Sequence, residues 1–267
     1  MDDRPIGVFD SGFGGLTVAR ALVDLLAGED LVYFGDSARY PYGPRPLEEV
    51  RGFAAQVTGE LVERHGVKLV VVACNTASAA ALELLQFSFD VPVVGVINPG
   101  VRAALEVTAN GRVGVIGTVG TVASGAYQRA VKAHRKPVQL TCAACPGFVE
   151  FVERGDTGSD QVHVLAERLL EPVRRAGVDT LLLGCTHYPF LARTIGDVMG
   201  REVVLVSSAD ETAFEVRKLL EETGLVRRSA SKGTMRFVSS GDAGWFAELG
   251  RRLFGPELAE VEAHRWP

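Results

Sequence analysis

Cys74 and Cys185 stand where short apolar runs give way to small polar residues. The two stretches are "VVVACNTASAAAL", Val70 to Leu82, and "LLLGCTHYPFL", Leu181 to Leu191. A lone buried cysteine usually packs as a small hydrophobe. Two cysteines in equivalent polar contexts at equivalent strand ends point to chemistry instead. A thiol at a helix N-terminus has its thiolate stabilised, which predicts for Cys74 a pKa below the ordinary ~8.5 if a helix begins at Asn75 or Thr76. Cys185 has His187 two residues on, where an imidazole could exchange a proton with it. Two thiols on opposite faces of one carbon suit an inversion: one removes a proton, and the other delivers a proton to the far face. An α-proton is weakly acidic, so such a site needs donors for the charge that develops on a neighbouring carboxylate. The turns around both cysteines, rich in Ser, Thr and Asn, supply them.

Asp10 ends another apolar run, in "GVFDSGFGG". Its charge would raise a neighbouring thiol's pKa, and is useful if it takes that thiol's proton or binds a substrate ammonium group. It could equally cap the following helix. Cys142 and Cys145, in "TCAACPGF", have C-x₂-C spacing, and with Cys185 and His187 they have the ligand types of a Cys₃His zinc site. No second C-x₂-C accompanies them, so packing is the plainer reading of Cys142 and no metal is expected. His65, His134, His163 and His264 read as surface residues. None of the five lysines falls in a strand-end turn, which argues against a pyridoxal phosphate Schiff base. "GFGG" lacks the following Gly-Lys-Ser/Thr of a phosphate-binding loop.

The elements that must position these residues alternate. Ile6–Asp10, Leu31–Asp36, Val67–Cys74 and Val91–Ile97 read as buried strands. Helical patterns lie between them, from Gly14 to about Leu26, from Pro46 to Gly66, and from about Thr76 to Phe87. The alternation predicts βαβ units and a parallel sheet covered by helices. "VGVIGTVGTVASGAY" from Val113 then echoes "IGVFDSGFGGLTVAR" from Ile6. The step from Ile6 to Val113 is 107 positions and that from Cys74 to Cys185 is 111, which suggests two similar α/β halves. Further strands are expected near Val138–Cys142, Thr180–Leu183, Val203–Val206 and Met235–Val238. Helices are expected at about Gln161–Arg175, up to Thr223, and at Ala243–Phe254 behind an "SSGD" cap. The final strand and its helices are expected to return to the first sheet.

The chain has 267 residues, 47% of them apolar and 23% charged, as in an ordinary soluble protein with a substantial core. A net charge of −5 without a basic stripe argues against nucleic acid as a main ligand. No segment approaches the ~18 continuous apolar residues of a membrane span. The acidic opening "MDDRPIGVFDSG" does not read as a signal peptide, so a cytoplasmic location is expected, with free thiols rather than disulfides.

The motifs "GVFDSGFGGLTV", "YFGDSARYPYG", "VVACNTASA", "GVIGTVGT" and "LLLGCTHYP" resemble, in content, order and spacing, those of the glutamate racemases of the aspartate/glutamate racemase superfamily. The resemblance spans nearly the whole chain. It implies two pseudo-symmetric α/β domains with mainly parallel sheets facing a shared active-site cleft. Their expected bounds are 1–97 with 208–267, and 98–207. It implies cofactor-independent interconversion of L- and D-glutamate, with D-glutamate supplied to peptidoglycan synthesis, by a homodimer. Carried over by position, Cys74 acts on D-glutamate and Cys185 on L-glutamate, assisted by Asp10 and His187 respectively. Ser11, Tyr42, Gly43, Asn75, Thr76, Thr118 and Thr186 match substrate-contacting positions, together with Asp10 and His187. A catalytic glutamate in "CPGFVEFVE" matches Glu153, with Glu150 one turn earlier as the other candidate. Asn98, in "VINPG", stands where many members carry an acid. Aspartate or another acidic amino acid is the rival substrate. A thiol redox or zinc protein and an amino-acid-binding module are the readings from other classes.

Overall fold

A computed structural model describes residues 2–228, 231–258 and 260–267. The chain opens with β1 (Ile6–Asp10), α1 (Leu16–Leu25), β2 (Leu31–Gly35), α2 (Leu47–Glu63), β3 (Leu69–Val72), α3 (Asn75–Ser88) and β4 (Val93–Gly95). Next come α4 (Ile97–Val107), β5 (Arg112–Gly117), α5 (Val119–Ala123), α6 (Ala126–Ala133), β6 (Gln139–Ala144), α7 (Phe148–Glu153) and α8 (Asp160–Arg175). β7 (Thr180–Gly184), a 3₁₀ turn at Tyr188–Leu191, α9 (Ala192–Met199) and β8 (Val204–Val206) follow. The chain closes with α10 (Ala209–Thr223), β9 (Met235–Ser239), α11 (Ala243–Phe254) and β10 (Glu262–Ala263).

Two parallel sheets result. One has the order β10-β9-β2-β1-β3-β4 and the other β6-β5-β7-β8. The run β2-β1-β3-β4 has the same order as β6-β5-β7-β8, so the echo between the two halves is one of topology. β9 returns beside β2, as expected, and β10 adds a two-residue edge strand that was too short to read from the sequence.

The strands form because their side chains are buried on both faces: β1, β2, β3 and β7 are buried throughout. Helices supply the covers. α2 buries Val50, Ala54, Val57 and Leu61, spaced three or four apart, and ends before Gly66 at φ +60°. In α8, Val162, Ala166, Leu170 and Val173 face inward, and the Ser159 hydroxyl caps the first turn. Asp242 caps α11 in the same way, accepting from Trp245 N–H at 2.8 Å.

Three helices depart from the sequence reading. α4 starts at Ile97, where a strand was expected to end, because Pro99 is tolerated in a first turn. α7 and α9, of six and eight residues, are too short to show a periodicity of their own. His65 and His264 are not surface residues: their side chains are 7% and 8% exposed and flank Glu60. Among the described residues no helix is long and apolar enough to cross a membrane.

Candidate active site

In parallel sheets, ligands bind beyond the carboxyl ends of the strands, at the point where successive connections leave in opposite directions. In the first sheet that point lies between β1 and β3, whose ends carry Asp10 and Cys74. In the second it lies between β5 and β7, which end at Thr118 and Cys185. All four residues line one cavity of about 640 Å³, counting its open mouth. Ser11, Tyr42, Gly43, Asn75, Thr76, Thr186 and His187 line it too. Glu153 lies behind His187 rather than on the wall, with its Oε1 3.4 Å from His187 Nε2. Glu150 faces the cavity. The sequence-derived residues therefore converge, and the two glutamates separate into different positions.

Among the described residues no Lys or Arg lines the walls. Their polar groups are hydroxyls, amides, carboxylates and one imidazole. Thr76, Thr118 and Thr121 hold their Oγ1 atoms within 2.9–3.1 Å of one another, joining the first half to the second. The Asn75 carboxamide accepts through Oδ1 from the Tyr127 hydroxyl at 2.7 Å, and its buried Nδ2 has no partner. An unpaired buried donor beside a cavity is costly unless a ligand completes it. The Tyr42 hydroxyl is already donated to Asp36, so Tyr42 has its ring and backbone left for the cavity. Asp36 is itself fixed by Arg39, Ser240 and the Trp266 indole N–H.

The loop after β1 approaches the turn after β7 closely. A Cβ on Gly14 would sit 2.2 Å from Thr186 Oγ1 and 2.5 Å from His187 Nδ1, which requires a glycine there. The approach lets Thr186 donate to Asp10 Oδ2 at 3.3 Å, while Gly12 N–H donates to Oδ1 at 2.9 Å.

Electrostatics differ on the two sides. Burial and the charge of Asp10 push the Cys74 thiol up to about 12, so the expectation of a lowered pKa fails. The first turn of α3 does lie against Cys74, but desolvation outweighs it. The thiol donates to Ser11 Oγ at 3.9 Å. Burial likewise raises the carboxyl of Asp10, opposed by His187. Burial disfavours charge on His187, yet Cys185, Glu153 and Asp10 outweigh it and raise the imidazole to about 10. Its Nδ1 lies 3.9 Å from Cys185 Sγ.

Tyr40, Thr121, Tyr127 and Cys145 were not picked out for this site. Tyr40 and Cys145 line the cavity, and burial followed by the charge of Glu153 raises the Tyr40 hydroxyl far above its ordinary value. Cys145 does carry a sequence signal, its C-x₂-C spacing with Cys142. Among the described residues no group of three or more His, Cys, Asp or Glu side chains is arranged to hold a metal ion.

The Asp/Glu/hydantoin racemase family model matches residues 6–214. The chain belongs to this family. It is 50% identical over 262 residues to the glutamate racemase of Corynebacterium diphtheriae, covering 98% of each chain. Among solved structures, it superposes on the glutamate racemase isoform of Bacillus anthracis with a TM-score of 0.91 at 39% identity, covering 98% of this chain and 97% of that one. The Francisella tularensis glutamate racemase, solved with D-glutamate, gives a TM-score of 0.91 at 33% identity and covers 99% and 98%. As a racemase of this family the chain is an enzyme, and its fold is the α/β fold of those structures.

Proposed function

We propose that this racemase interconverts L- and D-glutamate by transfer of the α-proton between two thiols, with no cofactor. One observation carries the reading. Cys74 and Cys185 follow equivalent strands, β3 and β7, in four-strand runs of the same order, and line the same cavity. The choice of glutamate rests on the relatives, which bear that name at about half identity over nearly the whole chain.

From L-glutamate, the Cys185 thiolate takes the α-proton, with imidazolium His187 as its counter-charge. An S–H bond forms, the C–H bond breaks, and the electron pair passes into the α-carboxylate. The Asn75 amide and the threonine hydroxyls supply donors for that charge. Cys74, held as a thiol by burial and by Asp10, then delivers its proton to the opposite face. In the reverse direction Asp10 takes up the Cys74 proton and His187 gives one to Cys185, so that the Cys74 thiolate removes the α-proton and the Cys185 thiol delivers its own to the opposite face. Both thiols return to their starting states by proton exchange with solvent. Glu153 steadies the charge on His187.

The reading further includes D-glutamate for peptidoglycan synthesis and a cytoplasmic homodimer, both supported by the family resemblance. It also includes a division into 1–97 with 208–267, and 98–207. Support for the division lies in the chain's passage from one sheet to the other between β4 and β5, and its return between β8 and β9.

Incubating pure L-glutamate with the enzyme in deuterated water, with no added cofactor, should yield D-glutamate deuterated at the α-carbon. Aspartate run alongside tests the rival substrate. An optical rotation that stays constant with glutamate defeats the proposal.

A further inference from the structure

We propose that Tyr127 is a positioning residue for this site. Its hydroxyl sets the Asn75 carboxamide so that Nδ2 is offered to the substrate, and it ties the two cysteine-bearing turns together. The inference builds on the function proposed above.

Tyr127 lies on α6, on the Cys185 side, in the buried cluster that also holds Ile97, Val101, Val115 and Leu182. Its hydroxyl leaves this core and donates across to Asn75 Oδ1 at 2.7 Å. Asn75 directly follows Cys74. On its way the ring passes over Gly184, which directly precedes Cys185. A Cβ on Gly184 would sit 2.7 Å from the Ile116 carbonyl oxygen, 2.9 Å from the Tyr127 hydroxyl and 3.1 Å from its Cε2, so a glycine there lets the neighbouring strand and the ring both approach. One side chain therefore touches the neighbours of both thiols.

The chemistry of the amide gives the contact its meaning. A carboxamide offers an acceptor on one side and a donor on the other, and the two are nearly equal in shape. With Oδ1 held by a hydroxyl proton, Nδ2 is the atom left without a partner, buried on a residue that lines the cavity. A substrate carboxylate needs that donor. The reversed amide would face it with an oxygen and repel it. Without the hydroxyl, nothing on the Tyr127 side favours one orientation, and a buried acceptor loses its donor.

Tyr127→Phe keeps the ring and its packing and removes only the hydroxyl. Melting should stay within roughly 4 °C of wild type, as for loss of one hydrogen bond. kcat/KM for glutamate should fall about tenfold, mainly through KM, a loss comparable to one oriented hydrogen bond. Asn75→Ala should fall by at least as much. The double variant should be no more than about twofold worse than Asn75→Ala alone, because the hydroxyl acts through that amide. Independently of turnover, the Asn75 side-chain amide resonances, assigned by their loss in Asn75→Ala, should shift in Tyr127→Phe. Multiplicative losses in the double variant, or amide resonances that stay in place, overturn the inference. If wild-type enzyme fails to racemise glutamate, the proposed function falls, and the amide resonances alone decide the role of Tyr127.

Discussion

The two cysteine turns share a strand order and differ in almost everything else. Cys74 leads straight into α3, a helix of 14 residues, and its charged neighbour is an acid, Asp10. Cys185 leads into Thr186, His187 and a single 3₁₀ turn, and its charged neighbour is an imidazole raised to about 10. Equivalent backbone positions thus hold a thiol kept protonated on one side and a sulfur paired with a cation on the other. A repeated four-strand order brings both sulfurs to one cavity. The side chains placed around it then break the symmetry of the protons, which suits a reaction whose two halves are deprotonation and reprotonation.

The comparison breaks most decisively at the sulfurs. Replacing either Cys74 or Cys185 with Ser should lower turnover by about 10²–10⁴-fold in both directions, the scale of a lost general acid–base group. Circular dichroism should show the fold retained. Full activity in either variant removes the two-thiol mechanism.

Asp10→Asn and His187→Gln should each cost about 10- to 100-fold, less than the thiols they assist. Because the two enantiomers are equal in free energy, kcat/KM must fall equally in both directions. The asymmetry should appear in the isotope effects instead. Asp10→Asn should enlarge the effect with α-deuterated D-glutamate, and His187→Gln with α-deuterated L-glutamate. Identical isotope effects in the two variants would mean that the neighbours do not serve separate thiols.

The smallest expected effect is on stability. The His187 pKa lies near 10 in the folded protein, against ~6.5 unfolded. Its contribution to stability is therefore complete below pH ~6.5 and lost as the pH rises through about 10. The melting temperature of wild type minus that of His187→Gln should shrink by roughly 2 °C or more over that range. Taking the difference cancels the Cys74 contribution, which has the same sign at higher pH. A difference that grows with pH would mean that His187 is neutral in the folded enzyme.

The framework of the site was legible because buried parallel strands leave unmistakable apolar runs, and each run ends where polar residues begin. Asp10, Cys74 and Cys185 all stand at such ends, and the 107- and 111-residue steps point to the repeat. The short helices α7 and α9 and the edge strand β10 fell below the length at which a pattern shows. Glu153 was named with Glu150 as its rival, and local sequence had no means to separate them, since both lie on one short helix. Tyr127 gave no signal at all. Its partner Asn75 lies 52 positions away, and an aromatic residue on an amphipathic helix reads as core, which its ring is.

From its sequence alone this protein has its strand–helix alternation, its repeated half and the strand-end positions of its two thiols, because those follow from local patterns of burial. Tertiary structure decided where the protons sit. The Cys74 thiol is expected low and stands high, and the His187 imidazole is raised, because burial together with residues 10, 153 and 185 sets those balances. Desolvation and through-space charge depend on what folding brings near, and no spacing along the chain encodes them.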